Sequence, residues 1–319
     1  MRMPSRDAFF GLLALGIFVF GAAPRVEAQY EFSPFRDIHE RLSPPLPPTV
    51  AVFAVPCISN NEVFGAQALD LSSFKRISIL IHGTGWSTFT PGGIDGINAA
   101  GATVGFDFTS GDGWSRTAGG VVTVLTAPGA SSTFPQGISN NGTIVGFFFD
   151  AKQNEHGFIL DDSGYHQVDY PGAAGTQLSG INSRGTAVGT YFDASGNDHA
   201  FSLDKHGNFM ALTIPGAVMS IANGINERGQ IAGAYITAAN EGGGFIYNKG
   251  AVTRIDASEV LLPDINEGGD EFVLIPGSES TSISGINATG QIVGQVNAFY
   301  MDSMGNLLEG IAGFIGSPH

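Results

Sequence analysis

Short apolar runs separated by glycine, asparagine and aspartate recur along most of this chain. Five of these units contain the same ten-residue signature, Gly-Ile-(Asn/Ser)-x-x-Gly-x-x-(Val/Ala)-Gly. We call its first residue the anchor, position 0, and number the other residues from it. The five anchors are Gly96, Gly137, Gly180, Gly224 and Gly285. Self-similarity at fixed spacing predicts a repeat architecture, in which most of the signature residues belong to the scaffold.

The signature predicts two strands joined by a tight turn. Asn or Ser at +2 can bond nearby backbone amides, and glycine at +5 accepts positive φ. Positions +7 and +8 are mostly both apolar, as in Ile144-Val145, which is typical of a strand covered on both faces. A third strand holds a phenylalanine, and a fourth follows an Asp/Asn-to-Gly turn. The phenylalanines in phase with the repeat are Phe158, Phe201, Phe245 and Phe299.

Successive anchors lie 41, 43, 44 and 61 residues apart, and a weaker sixth copy begins at Cys57. This copy ends one residue early, at Gly65, and the 61-residue gap indicates an acidic insertion near 255–272. Stacked four-stranded units of 40–44 residues predict an all-β fold, a β-propeller of about six blades. A β-solenoid is the alternative. Strand-like residues at 49–55 and 301–311 are candidates to close the ring as one shared blade.

The N-terminus has the pattern of a signal peptide over residues 1–28. Arg2 and Arg6 precede the apolar stretch 9–22, and Val26-Glu27-Ala28 offers a cleavage site. We therefore expect a secreted or periplasmic protein. No later segment reaches the roughly 20 apolar residues of a membrane span, so we expect no membrane insertion. Residues 29–50 are proline-bearing and predict a spacer or a strap, and 51–319 form the repeat domain.

The charge of the mature chain disfavours two classes of partner. Without residues 1–28 it has 11 basic and 27 acidic residues, which repel nucleic acid and anionic lipid. Cys57 is the only cysteine, so no intramolecular disulfide stabilises the exported fold. We expect a monomer.

The best-preserved copy of the repeat carries a family resemblance. Gly-Ile-Asn-x-x-Gly-x-x-Val-Gly is followed by Tyr191-Phe192-Asp193 and then His199-Ala200-Phe201, and His156-Gly157-Phe158 is the next closest match. This pattern resembles the bacterial HAF-family extracellular repeat over roughly residues 57–305. The copy at Gly96 departs from it, because residues 111–120 contain no His-x-Phe. The resemblance implies an exported bacterial protein and no particular activity.

No catalytic residue can be assigned from the sequence. It contains no nucleophile elbow, no His-Glu-x-x-His and no phosphate-binding Gly-x-x-x-x-Gly-Lys. The segment His82-Gly83-Thr84-Gly85 resembles an oxyanion-hole loop in sequence, but it aligns with the hairpin turn at Asp161–Gly164 of another repeat. The recurrent His156 and His199, and Asp161, Asp204 and Asp302, are expected to stabilise turns.

Calcium is the one cofactor that the sequence leaves open. Asp193, Asn197 and Asp198 place oxygen-bearing side chains close together in one loop, and Asp264, Asn266 and Asp270 do so within the insertion. Calcium needs six to eight oxygen ligands, and neither segment ends in a bidentate glutamate. A polar turn is the alternative for both segments.

Residues outside the repeat pattern are the better candidates for binding. Trp86 and Trp114 are the only tryptophans, and each could stack on a sugar or pack in the core. We predict a non-enzymatic exported scaffold that binds a surface protein, a glycan or a small ligand. The alternatives are a polysaccharide hydrolase or lyase in the central channel, and a calcium-stabilised structural module.

Overall fold

The fold is a six-bladed β-propeller. The computed structural model describes residues 30–34, 42–257, 273–274, 280–301 and 307–318, which form six antiparallel sheets arranged in a ring. The predicted propeller and its blade number are confirmed, and the solenoid is excluded. The predicted signal peptide and residues 258–272 of the predicted insertion lie outside the described residues.

Each blade is a meander of four strands in chain order from the channel outwards, except that blade 6 recruits the N-terminal strand. Strand β1 spans Tyr30–Pro34. Blade 1 contains β2 (Val50–Ile58), β3 (Val63–Asp70), β4 (Lys75–His82) and β5 (Gly85–Phe89). Blade 2 contains β6 (Ile94–Ile97), β7 (Thr103–Asp107), β8 (Asp112–Arg116) and β9 (Val122–Leu125). Blade 3 contains β10 (Ala130–Ile138), β11 (Ile144–Asp150), β12 (Glu155–Asp161) and β13 (Gly164–Val168). Blade 4 contains β14 (Gly175–Ile181), β15 (Ala187–Phe192), β16 (Asp198–Leu203) and β17 (Phe209–Ala211). Blade 5 contains β18 (Ala217–Ile225), β19 (Ile231–Thr237), β20 (Gly242–Asn248) and β21 (Ala251–Ile255). Blade 6 contains β22 (Val273–Leu274), β23 (Ser280–Ile286), β24 (Ile292–Met301) and β25 (Leu307–Pro318).

The ring is closed by the segment that precedes the repeats. Strand β1 pairs with β25 from Tyr30↔Pro318 to Pro34↔Phe314 and forms the outermost strand of blade 6. Residues 50–58 are the inner strand of blade 1 and do not close the ring. Part of the predicted strap also packs on blade 1, since Leu42 and Leu46 are buried in its core. The propeller therefore uses residues on both sides of the predicted boundary at 51.

The hydrophobic core lies between neighbouring blades. Between blades 2 and 3, for example, Val104 packs with Ile144, Phe148 and Phe158. Burial of each such side chain contributes about 1.5–3 kcal/mol. Because every blade has a neighbour on both sides, strands can be apolar on both faces, as the sequence predicts.

The anchor glycines allow adjacent blades to approach closely at the channel. A Cβ added to Gly137 would lie 3.0 Å from the Cα of Gly180, and one on Gly180 would lie 3.1 Å from the Cα of Gly224. Gly96 and Gly137 meet in the same way, at 3.1 Å. Each anchor therefore faces the anchor of the next blade, and a side chain there would push the two backbones apart.

The glycine at +9 faces an aromatic side chain on the third strand of its own blade. A Cβ on Gly146 would lie 2.8 Å from the Phe158 ring, and one on Gly294 would lie 2.7 Å from the Phe314 ring. Phe314, and not Phe299, is thus the blade 6 counterpart of the repeated phenylalanine. Counting residues along the chain aligns Phe299 with the repeated phenylalanine, and this prediction is wrong. Phe299 lies on β24 and pairs with Glu309.

Blade 1 packs its anchor in a different way. The strand register places Gly65 opposite Cys57, at +8, and Ala66 at +9, so the copy is not shortened before its last glycine. In blades 2, 3, 4 and 6 a valine at +8 covers the anchor glycine, as Val104 covers Gly96, and blade 5 has Ala232 at that position. In blade 1 the cysteine side chain fills that space, and a Cβ on Gly65 would lie 2.5 Å from its Sγ. The large and small residues have exchanged places.

Candidate functional site

A polar cavity lies on the propeller axis, at the end of the channel where the signature turns meet. Its volume is about 70 Å³. All six blades line it, because each contributes the isoleucine at +1. These residues are Ile58, Ile97, Ile138, Ile181, Ile225 and Ile286. We call this cavity, with the +2 and +3 residues around it, the channel mouth.

The +2 residues of the channel mouth belong to the scaffold. The Asn226 Oδ1 accepts hydrogen bonds from the N–H groups of Arg228 and Gln230, both at 3.0 Å. Its Nδ2 donates to the Asn287 carbonyl of blade 6 at 2.9 Å. One side chain therefore shapes its own turn and ties it to the next blade, which explains why Asn or Ser recurs at +2.

The +3 residues form a ring in which alternate blades play different roles. The Ala99 N–H of blade 2 donates to Asn140 Oδ1 of blade 3 at 2.8 Å. The Ala288 N–H of blade 6 donates to Asn60 Oδ1 of blade 1 at 2.7 Å. In both contacts an even-numbered blade supplies a backbone donor, and the next blade supplies a side-chain acceptor.

Glu227 is the third acceptor of this ring and its one carboxylate. It accepts bonds from the Ser183 N–H at 3.2 Å and the Ser183 Oγ at 2.8 Å. It also accepts a bond from Asn140 Nδ2 at 2.9 Å, although Asn140 belongs to blade 3 and Glu227 to blade 5. Glu227 therefore reaches past blade 4 and holds a negative charge at the axis.

The mouth also contains backbone donors without an acceptor. Among the described residues, no hydrogen-bond acceptor is found for the N–H groups of Asn60, Asn140 or Glu227. All three residues line the cavity. None of the three residues is fully buried, so these N–H groups are positions at which water or a ligand can bind.

On the first strand of blades 2 to 6, the residue before the anchor is the extra residue of a β-bulge. In blades 2 to 6 the strand register shifts across this residue, as between Ile94 and Gly96. A bulge re-aims a side chain, and the five residues differ chemically between blades. They are Asp95, Gln136, Ser179, Asn223 and Ser284.

Asp95 is the carboxylate of this set. Burial raises its pKa to about 8, opposed by a hydrogen bond of 3.1 Å from Gln67 Nε2. Asp95 is consequently protonated at neutral pH and presents a neutral carboxylic acid. Burial and the nearby Asp95 raise the pKa of the Cys57 thiol, so Cys57 is an unreactive packing residue.

The two predicted sugar-stacking residues lie outside the channel mouth. Trp114 is 1% exposed and contacts Gly105 at +9, so it is the blade 2 counterpart of the repeated phenylalanine and packs in the core. This explains why residues 111–120 lack His-x-Phe. Trp86 is partly exposed, but its Nε1 donates to the Pro44 carbonyl at 2.6 Å. The strap therefore holds Trp86 against blade 1.

The described calcium candidates are engaged by their own loop. Asp193 Oδ1 accepts bonds from the N–H groups of Ser195 and Asn197, and its Oδ2 accepts bonds from Asn197 Nδ2 and His199 Nε2. These donors lower the pKa of Asp193, the Asn197 side chain first, and Asp198 is buried. In the described part of the chain, no three His, Cys, Asp or Glu side chains group as a metal site requires. Asp264, Asn266 and Asp270 lie outside the described residues, and calcium binding there stays a prediction.

Comparisons with known proteins do not assign this chain to a family. No family model and no curated protein matches it. Solved structures that resemble it include virginiamycin B lyase from Staphylococcus aureus, at 12% identity and a TM-score of 0.44, covering 82% of this chain and 87% of that chain. TolB from Acinetobacter baumannii matches at 15% identity and a TM-score of 0.46, covering 84% and 63%. The subtype N11 neuraminidase-like protein of A/flat-faced bat/Peru (H18N11) matches at 9% identity and a TM-score of 0.45, covering 82% and 86%. The similarities are low, and we base no argument on them.

Over the residues that the structure describes, no helix has the length and apolar character needed to cross a membrane.

Proposed function

We propose that this chain is an exported, non-enzymatic binding module that holds a small polar ligand, or the end of a glycan, at the channel mouth. Export rests on the signal-peptide pattern and on the resemblance to extracellular repeats. Glu227 is the observation that carries the binding role, because a carboxylate at +3 is not a feature of the repeat. Blades 2 and 6 form the same turn with alanine at this position.

The composition of the mouth supports a ligand site. Asn60, Asn140 and Glu227 supply amide and carboxylate groups beside a ring of isoleucines. The accessible lining of the mouth is mostly polar, and a few convergent polar groups are what orients a ligand in a small-molecule site. A volume of about 70 Å³ holds about two water-sized groups at liquid density, so a ligand would insert one end and leave the rest outside.

A glycan array probed with residues 29–319 tests this proposal. We expect bound sugars whose signal falls at least tenfold in Glu227→Gln, because an amide replaces the carboxylate acceptor with little change of shape. Glu241→Gln is the matched control, since Glu241 is an exposed carboxylate on the β19–β20 turn at the opposite face. Equal loss in both variants, or no binding by the wild-type chain, would contradict the proposal.

A polysaccharide hydrolase or lyase acting in the channel is the second candidate. One feature favours it: burial raises the pKa of Asp95 to about 8, which favours the protonated form that a general acid needs. Against it, Glu227 is the only carboxylate that lines the mouth, and glycoside hydrolysis requires a pair. New reducing ends from a polysaccharide panel, released by the wild-type chain and not by Asp95→Asn, would establish this candidate instead.

A further inference from the structure

The charge of the channel mouth comes from Glu227 alone. Every other residue that lines the cavity is an isoleucine, serine, asparagine or alanine, so no basic side chain of the described chain belongs to its wall. Glu227 is only partly exposed. Its carboxylate accepts hydrogen bonds from Ser183 and Asn140, which are neutral donors. The cavity therefore carries a negative charge that its own wall does not neutralise.

No cation elsewhere in the described chain pairs with this carboxylate. Arg228 follows Glu227 in the sequence, but its side chain is exposed. No Lys, Arg or His nitrogen of the described residues lies within 4.0 Å of a Glu227 oxygen. By contrast, Asp161 has a histidine nitrogen at 3.2 Å and Asp193 has one at 3.1 Å. A carboxylate that is partly removed from water loses solvation, which a nearby cation offsets. A positively charged group on the ligand would supply that partner.

The size of the cavity favours a compact cation. A volume of about 70 Å³ holds about two water-sized groups at liquid density. A primary ammonium group is of that size and donates up to three hydrogen bonds, whereas a guanidinium group is a larger planar fork. A divalent metal ion needs about six oxygen ligands. The amide oxygens of Asn60 and Asn140 already accept bonds from the N–H groups of Ala288 and Ala99, so the mouth does not offer such a set.

The backbone donors of the mouth require an oxygen atom beside the ammonium group. The N–H groups of Asn60, Asn140 and Glu227 have no acceptor among the described residues, and a cation cannot accept their hydrogen bonds. A hydroxyl oxygen can accept them. A ligand carboxylate could accept them as well, but Glu227 would repel it at short range. The mouth therefore fits a ligand that carries an ammonium group next to uncharged hydroxyl groups.

We propose that the ligand of the channel mouth is an amino sugar, whose protonated amine pairs with Glu227 while a neighbouring hydroxyl oxygen accepts hydrogen bonds from the N–H groups of Asn60 and Asn140. This inference rests on the proposed function and adds the chemical class of the ligand. A lysine side chain has the same ammonium group but only methylene groups beside it, so it would leave these N–H groups without an acceptor. The formal net charge of −15 also attracts a cationic saccharide from a distance.

Titration calorimetry with two trisaccharides tests the inference. The probes are a trisaccharide of glucosamine and the matching trisaccharide of glucose, in which a hydroxyl group replaces each ammonium group. The measurement is made at about pH 6, where an ordinary carboxyl group is ionised and an amine is protonated. We expect the glucosamine probe to bind about tenfold more tightly at low salt, with an advantage that shrinks as salt screens the charges. Raising the pH until the amine is neutral should remove the advantage.

Two variants test whether Glu227 causes the preference. Glu227→Gln removes the charge with little change of shape and should bring the affinities for the two trisaccharides together. Glu241→Gln is the matched control, because it removes one exposed carboxylate from the β19–β20 turn at the opposite face. This control should keep the preference for the glucosamine probe. Thermal melts of both variants confirm that lost affinity does not come from unfolding.

The outcomes separate this inference from the function on which it rests. Equal affinity of the wild-type chain for both trisaccharides, or a preference that survives Glu227→Gln, would overturn the amino-sugar assignment and leave the binding function intact. Displacement of the glucosamine probe by a capped lysine tripeptide at comparable concentration would show that charge alone decides binding, and it would also overturn the assignment. No sugar binding by the folded wild-type chain would remove both proposals.

Discussion

The anchor and the +3 residue lie three positions apart in every blade, yet the anchor accepts few residue types and the +3 position accepts many. Anchors are glycine in five blades, because the backbone of the next blade lies about 3 Å from where a side chain would begin. The +3 residues are Asn60, Ala99, Asn140, Ser183, Glu227 and Ala288. Packing thus determines the anchor, whereas the turn leaves +3 open. In this repeat, the side chains that can bind a ligand therefore lie at positions where packing permits different residue types.

Blade 1 shows that the anchor is constrained by volume and not by residue identity. Cys57 occupies the anchor, and Gly65 at +8 makes room for its side chain. Elsewhere the pair is glycine with valine or alanine. The anchor and the +8 residue together fill the same buried volume in both arrangements, but the large and the small residue have changed positions.

A side chain introduced at an anchor should have the largest effect on stability. Gly137→Val would place atoms 2.8 Å from the Ser179 carbonyl oxygen and 3.0 Å from the Gly180 Cα. Because backbone on both sides must move, we expect a loss of about 3 kcal/mol in the free energy of unfolding, measured by urea denaturation. Asn140→Ala at +3 of the same blade is the control and should lose about 1 kcal/mol at most. Similar losses in both variants would contradict the comparison.

The second test repairs blade 1 to the common arrangement. Gly65→Val alone should cost about 2–3 kcal/mol, because its Cβ would meet Cys57 Sγ at 2.5 Å and Ile94 Cδ1 at 2.8 Å. Adding Cys57→Gly frees that volume, so the double variant should regain at least about 1 kcal/mol relative to the sum of the single changes. A double-mutant cycle by chemical denaturation measures this coupling. Additive effects would show that the two residues do not exchange volume.

The third and smallest effect concerns Asp95, the residue before the anchor of blade 2, which contacts Gln67 of blade 1. Its folded pKa is about 8, while in the unfolded chain it returns to about 4, so only the folded state keeps the proton between these values. The free energy of unfolding should therefore fall as pH rises from about 4 to 8 and level off above that window. Asp95→Asn removes this contribution and should be more stable than the wild-type chain at pH 8, by about 1–2 kcal/mol, because Asp95 is partly exposed to solvent.

Denaturation at pH 4 and pH 8 provides the measurement for Asp95. The advantage of the variant should shrink towards pH 4, where the folded state is protonated and the unfolded chain is about half protonated. Glu241→Asn controls for the loss of an exposed carboxylate and should show no such window. A constant difference between wild type and Asp95→Asn at both pH values would argue against a buried, protonated Asp95.

Sequence periodicity predicted the architecture well, because repeats report the contacts that every blade needs. The turn at +2 to +5, the doubly covered strand at +7 and +8 and the number of blades follow from the spacing. Residue counting fails where the spacing changes: it aligns Phe299 with the repeated phenylalanine, a position that Phe314 fills, and it aligns Gly65 with +9 although Gly65 lies at +8. Register depends on which strands pair, and a count along one chain does not contain that information.

The candidate site was the harder part to predict. Trp86 and Trp114 are predicted as binding residues because the repeat pattern does not require them. In the structure Trp114 fills an ordinary core position, and Trp86 is held by the strap. Glu227 and Arg228 fall inside a good copy of the signature, so the repeat pattern gives no reason to single them out. The variation of residue type at +3 and +4 is the sequence signal for functional positions. It can be interpreted only once the propeller shows which of these residues contact each other.

The sequence by itself determined the repeating unit, the glycine positions and the location of the turns, since these arise from local backbone geometry and from contacts made in every blade. Only the tertiary structure decided that β1 closes the ring, that alternate +3 residues bond across blades, and that Glu227 meets Asn140 at the axis. Those contacts join residues far apart in the sequence, 228 positions apart for Asn60 and Ala288 and 288 for Tyr30 and Pro318. They exist only because the ring brings the six turns to one point.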